Sequence, residues 1–236
     1  MSAGIVYLSF GSDYVDCTIA ALKSKIKNAP RTPATVLTNR KADLDSKLCR
    51  DNGIQLIFVD SPDVEVRAYK TQLYKYSPYE ETLLLDADCW INLELFDYFK
   101  MLAYAPMVLT HAHHHPSIGT AGHVGAADRD YTLNVCQGLY FLPQYASGLV
   151  FFKRDDPLVR ATFDVWHTEW ARFHNKDQMA LMRALFTTKL MPLVVADRYW
   201  LSQSEGKGLV SHSFGPSLPS MPRKDIRSPR KYRSIP

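Results

Sequence analysis

Two carboxylates, Asp86 and Asp88, separated only by Ala87, end the apolar run Leu83-Leu84-Leu85, which itself follows a polar turn of Ser77, Pro78, Tyr79 and Glu80. A continuously apolar run of this length reads as a strand buried on both faces of an α/β sheet. The acids then stand at its C-terminal end, the edge of an open parallel sheet where ligands bind. Carboxylates spaced i, i+2 there can both turn toward one hard cation, and oxygen donors of this kind suit Mg or Mn. The competing expectation is that Asp86 and Asp88 cap the next helix or sit solvated in a loop; the apolar strand ahead of them favours the metal reading. A second chemical signal is the group His111, His113, His114, His115 and His123, within a stretch (111–145) that shows no sustained period. Imidazole is a common metal ligand. Their spacing matches no His-x-x-x-His helical site and Pro116 interrupts them, so substrate contact or plain loop is expected before a catalytic metal. A third is Asp177 in Asn175-Lys176-Asp177-Gln178, which opens a helix; an acid there is favoured by the helix dipole alone.

The elements that must position these residues alternate along the chain. Ile5 to Ser9 reads as a strand, then Phe10-Gly11-Ser12, then a helix whose apolar positions Val15, Ile19, Leu22 and Ile26 keep one face, capped by Ser12 or Asp13. Residues 34–38 read as a strand, 42–52 as a helix stopped by Gly53, 54–59 as a strand, and 70–76 as a helix leading into the carboxylate strand. The first ninety residues are thus βαβαβ-α-β, which implies a parallel sheet with helices on both faces. Beyond Asp88, residues 93–104 read as a helix and 107–110 as a strand. Tyr145 to Phe152 follows as a strand in which Gly148 lets backbone come close to a ligand or a neighbour. A helix from Pro157 to about Phe173, another through Leu185, and short strands at 193–196 and 210–215 complete the pattern.

With 236 residues, 46% of them hydrophobic and 22% charged, the chain fits one large α/β domain. The four scattered cysteines, with no Cys-x-x-Cys pair, argue against a disulfide framework or zinc ribbon. No signal peptide and no membrane-length apolar window is read, and a cytoplasmic location is expected. The net charge of +4 is concentrated in a basic tail, 216–236, where Arg223, Lys224, Arg227, Arg230, Lys231 and Arg233 crowd together. Such a tail suits phosphates, nucleic acid or an anionic membrane surface, or is simply solvated.

The order of these pieces resembles the GT-A fold glycosyltransferases, most closely the glycogenin and galactosyltransferase-type retaining enzymes, over roughly residues 4 to 215. The resemblance implies a Rossmann-like α/β fold with a mostly parallel central sheet, divided into a nucleotide-binding half (1–90) and an acceptor and metal-completing half (91–215). Asp86, Ala87 and Asp88 match the family's Asp-x-Asp, which holds Mn2+ (or Mg2+) on the diphosphate of a nucleotide-diphosphate sugar, and His212 matches the late histidine that completes the metal site. Lys70 matches a basic residue against the donor. Ser9, Phe10 and Gly11 match the segment that seats base and ribose, Ser147 and Gly148 the small-residue element beside the donor, and Asp177 and Gln178 the pair touching the sugar near the reacting carbon. The chain departs from the pattern at Ala146, where the family has Asn, and after Gly215, where no Lys-Pro-Trp follows; Arg223 or Lys224 would have to substitute.

The implied activity is metal-dependent transfer of a sugar, with UDP the expected carrier, to an unidentified acceptor, with retention at the anomeric carbon. Two other classes compete with it. A sugar-nucleotide-forming nucleotidyltransferase shares the architecture, but usually grips its triphosphate with a Gly-rich basic loop after the first strand; Phe10-Gly11-Ser12-Asp13 has one glycine and an acid. A non-catalytic nucleotide or nucleic-acid-binding module would rest on the tail, yet carboxylates facing phosphate without a cation repel it.

Overall fold

The apolar run before Asp86 is continuous because its strand is buried on both faces. In a computed structural model of the chain, residues 2–40, 43–44, 46–60, 65–112, 117–121, 124–195, 201–202 and 208–212 are described. Strand β4 (Glu81–Asp86) places Leu83 and Leu85 in one apolar core and Leu84 in a second core on the opposite face. All three are fully buried, each contributing on the order of 1.5–3 kcal/mol by removal from water. Strand β1 (Ala3–Ser9) divides in the same way, Ile5 and Tyr7 to the first core, Val6 and Leu8 to the second.

Around this pair the chain builds β2 (Ala34–Thr38), β3 (Gln55–Phe58), β6 (Met107–His111), β7 (Tyr145–Lys153) and β8 (Leu193–Val195) into a seven-stranded sheet of order β3-β2-β1-β4-β7-β6-β8. Every pairing is parallel except those of β7, which runs antiparallel to both β4 and β6. The mostly parallel α/β architecture expected from the sequence is therefore present, with one reversed strand in its interior. The chain moves outward from β1 to β2 and β3, then returns to lay β4 on the other side of β1. This makes the β1/β4 edge the topological switch point.

Helix α1 (Val15–Asn28) packs its Val15, Ile19, Leu22 and Ile26 stripe on the first core. The expected cap by Ser12 or Asp13 is not formed: Ser12–Tyr14 is a 3-10 turn and no side chain caps α1. Helix α2 (Ser46–Asp51) does end at Gly53, whose φ of +63° is the left-handed region that glycine enters without strain. The helix expected at 70–76 lies earlier, α3 (Val66–Lys70), followed by a 3-10 turn at Leu73–Lys75. The stretch 93–104 folds as a 3-10 helix, Phe96–Ala103, whose start is fixed by Glu94 accepting from the N–H groups of Leu95 and Phe96.

Residues 111–145 hold an element that periodicity did not reveal, α4 (Ala126–Val135). Its inward face is partly polar, with Asp128 and Thr132 buried, so an apolar count misses it. Helices α5 (Pro157–Ala171) and α6 (Asp177–Thr188) cover the second core; α5 starts with Pro157 at its first turn and Asp156 accepting from the N–H groups of Leu158 and Val159. A second, three-stranded sheet of order β5-β10-β9 joins β5 (Cys89–Ile91), β9 (Leu201–Ser202) and β10 (Val210–His212). The tail, Gly215, Arg223, Lys224 and the histidines at 113, 114, 115 and 123 lie outside the described residues; His111 ends β6.

Candidate active site

Strand β4 delivers Asp86 to the sheet edge opposite Leu8 of β1, and the chain turns at once through Ala87 and Asp88 into β5. The turn matters because β5 pairs antiparallel with β10, and that pairing sets His212 directly across from Cys89. His212 Nε2 thereby lies 3.2 Å from Asp88 Oδ2, both side chains about nine-tenths buried. Residues more than a hundred positions apart in sequence are thus joined by one short ladder.

Asp86 faces another partner. The Lys70 ammonium, at the end of α3, sits 2.9 Å from Asp86 Oδ1 and 3.0 Å from Oδ2. The same nitrogen is 3.1 Å from Asp177 Oδ2 and 3.3 Å from Ser147 Oγ. Asp177, the first residue of α6, also meets Arg67 Nε at 3.6 Å, and Arg67 donates to Glu65 at 2.9 Å. The helix-dipole expectation for Asp177 is compatible with its place, but its carboxylate is turned to two cations from α3. Gly148 is the reason that Asp86 fits: a Cβ there would stand 2.7 Å from Asp86 Oδ2, so any side chain displaces the carboxylate.

The electrostatics follow from burial and charge count. Burial pushes the Asp86 carboxyl above the usual carboxylate range; Asp88 and Asp177 push the same way, and Lys70 and His212 offset only part of it. Burial would also raise Asp177, but Lys70 and then Arg67 outweigh it and hold that carboxyl below its ordinary value. For Lys70 burial works against the ammonium, yet Asp177 and Asp86 together hold it charged beyond the ordinary lysine range. Four carboxylates, Glu65, Asp86, Asp88 and Asp177, share this corner with two basic side chains, Arg67 and Lys70. A corner with surplus negative charge beside the His212 imidazole fits a divalent cation; Asp88 and His212 can hold it, with Asp86 adjoining.

The remaining candidates frame the same edge. Ser9 ends β1 with its hydroxyl 2.7 Å from that of Thr18 in α1. Phe10 stacks on Tyr69 with ring centroids 4.9 Å apart, and Gly11, at φ +79°, donates its N–H to Asn39. Gln178 donates to the Tyr145 carbonyl at 3.3 Å. Ala146 is buried at the start of β7 among the first core.

Three residues at this corner were not singled out from the sequence. Arg67 lies one helical turn before Lys70, a spacing that puts both on one face and could have signalled it. Cys89 follows the second acid directly. Tyr14 gave no signal, yet its hydroxyl pKa is raised by burial and by the fields of Asp88 and Asp86, which places it within electrostatic reach.

No family model matches the sequence, and no curated protein does. Solved structures do. The chain superposes on the galactosyltransferase LgtC, solved in complex with donor and acceptor sugar analogues, with a TM-score of 0.65 and 14% identity over 93% of this chain and 90% of that one. Mouse xyloside xylosyltransferase 1 gives 0.59 and 10% over 90% and 97%. The bifunctional glycosyltransferase WbbM gives 0.64 and 12% over 91% of this chain, which spans only 46% of WbbM. At these identities the likeness speaks for architecture, and the architecture is that of the GT-A glycosyltransferases.

Proposed function

We propose that the chain is a metal-dependent glycosyltransferase that moves a sugar from a nucleotide-diphosphate sugar, with UDP as carrier, to an acceptor, with retention. The observation that carries this reading is the convergence of Asp86, Asp88, His212, Lys70 and Asp177 at the switch point of a sheet with the order described. Residues 1–90 would seat the nucleotide, 91–215 the acceptor and the metal-completing histidine, and 216–236 would act as a basic tail.

A divalent cation bound by Asp88 and His212, with Asp86 beside them, would stabilise the diphosphate as it leaves. Lys70 adds a fixed positive charge that its two carboxylates keep protonated at any working pH. Asp177 stays ionised through Lys70 and Arg67, and so offers negative charge to a sugar carbon that becomes oxocarbenium-like. Ser147 fixes the Lys70 nitrogen from the third side, and Gly148 leaves Asp86 room. The Phe10–Tyr69 stack and the Gly11–Asn39 contact shape the end of β1, where base and ribose would lie.

The test is a thermal-shift and hydrolysis screen of nucleotide sugars with and without a divalent cation, Mn, Mg, Co and Zn in turn. A ligand that binds only the folded protein raises its melting point. A metal-dependent shift with slow donor hydrolysis is expected; a shift with nucleoside triphosphate and sugar phosphate, and none with any nucleotide sugar, would move the assignment to a nucleotidyltransferase.

A further inference from the structure

Cys89 is a candidate ligand of the corner that the proposed reaction does not use. It opens β5 directly opposite His212 of β10, and opposed residues of an antiparallel pair project to the same side with Cβ atoms roughly 4.5–5.5 Å apart. Asp88, Cys89 and His212 each present one ligand atom, and these atoms all lie within 4.8 Å of one another. In a tetrahedral centre with metal–sulfur and metal–nitrogen bonds near 2.3 and 2.0 Å, neighbouring ligand atoms stand ~3.5 Å apart, so a shift of about 1 Å closes the three on one ion. The Cys89 thiol is fully buried and meets only main-chain groups, the Gly148 carbonyl at 3.9 Å and the backbone of Asp86. Asp86, by contrast, has both oxygens on Lys70.

We infer that Cys89 supplies a sulfur ligand to the cation held by Asp88 and His212, so that this centre takes a thiophilic divalent ion, Zn or Co, in preference to Mg or Mn. The inference rests on the metal reading of the proposed function and changes its ligand set from oxygen-rich to mixed oxygen, nitrogen and sulfur. Thiolate donors select against the hard ions that carboxylate sets accept. On binding, the S–H bond of Cys89 breaks, its proton leaves to bulk water and a sulfur–metal bond forms; no electron is exchanged.

The experiment is an anaerobic titration of the reduced, full-length protein with Co2+, read by absorption. A bound ion of low coordination number gives visible d–d bands stronger than those of the aqueous ion, whereas sulfur coordination adds a near-ultraviolet charge-transfer band. Both are expected in the wild type, and Zn should displace Co while Mg does not. Cys89→Ser should keep d–d bands, lose the charge-transfer band and lose affinity by at least the roughly 10–100-fold that an outer-shell partner is worth. Cys49→Ser, a buried cysteine elsewhere in the core, should keep both bands. Visible bands without charge transfer in the wild type, or a charge-transfer band that survives Cys89→Ser, overturn the inference and leave the metal site standing. Absence of cobalt binding by equilibrium dialysis overturns the inference together with the metal reading. The wild-type spectrum decides the matter even if Cys89→Ser does not fold.

Discussion

Two buried clusters of charge in this molecule differ in one respect, and the difference separates scaffold from site. Under helices α4, α5 and α6, Arg183 is fully buried and bonded on every side. Its guanidinium donates to Asp128 at 2.6 Å, Glu169 at 2.7 Å, Thr132 and the Glu169 carbonyl, and packs against the rings of Tyr131 and Phe173. Arg172 adds a second positive charge beside Glu169, so carboxylates and guanidinium groups balance. At the end of β4 the cluster is equally well joined but holds more carboxylates than cations, with Asp88 beside the His212 imidazole and Asp86 partly open to solvent. A balanced cluster holds three helices together; a surplus of negative charge at an open edge is what the proposed cation would offset.

The largest expected effect breaks the balanced cluster. Arg183→Met leaves Asp128 and Glu169 buried without their partner and should cost ~3–5 kcal/mol by chemical denaturation. A loss under 1 kcal/mol would mean that the cluster is not what ties α4 to α6. Lys70→Met tests the other cluster in the same way. It strands Asp86 and Asp177, so we expect a loss near the lower end of that ~3–5 kcal/mol range, together with loss of donor turnover. A fully active, equally stable variant would remove Lys70 from both roles.

Gly148→Ala sharpens the comparison further, since it disturbs only the unbalanced side. The added methyl meets Asp86 Oδ2 at 2.7 Å and should lower metal-dependent turnover while circular dichroism and the Arg183 region stay unchanged. Unaltered turnover would mean that the position of Asp86 is not demanding. Asp86→Asn should also abolish metal-dependent turnover, yet leave the metal-free melting point equal to or above that of the wild type, because it relieves the charge surplus. A markedly lower melting point would show that Asp86 belongs to the scaffold.

The smallest effect is one of pH. The carboxyl of Asp177 titrates below its ordinary value, so its contribution is complete above the unfolded pKa of about 3.9 and is lost as pH falls through the folded one. The stability gap between wild type and Asp177→Asn should hold constant from neutral pH to about 5 and narrow below about 4. A gap that narrows near neutrality would contradict the pairing with Lys70 and Arg67.

How much of this was legible in the sequence depends on the distance over which each signal acts. The both-faced burial of Leu83 to Leu85, the α1 stripe and the Pro157 start are local, and periodicity and capping chemistry expose them. Asp86, Asp88, Lys70, Asp177 and His212 were singled out by residue type and by resemblance; their convergence depends on strand order, which no local pattern encodes. Helix α4 was missed because its buried face carries Asp128 and Thr132, both of which meet Arg183 from another helix. The partnership of Cys89 with His212 needed the β5–β10 ladder to be seen at all.

The reversed strand β7 has a consequence for the order in which the molecule comes into being. Strands β1 to β4 and their helices are contiguous in the chain and can assemble as soon as they have been synthesised, but β4 meets β7 only after the intervening β5, β6 and α4 have emerged. Closing so long a loop comes late, and until then β4 exposes an apolar, unpaired edge to any similar chain nearby. Ser147, Gly148, Asp177 and His212 arrive with or after β7, so the corner is assembled in the last folding step. A nascent or truncated chain ending before Tyr145 should therefore be inert and aggregation-prone, and competence should appear all at once on completion of the sheet.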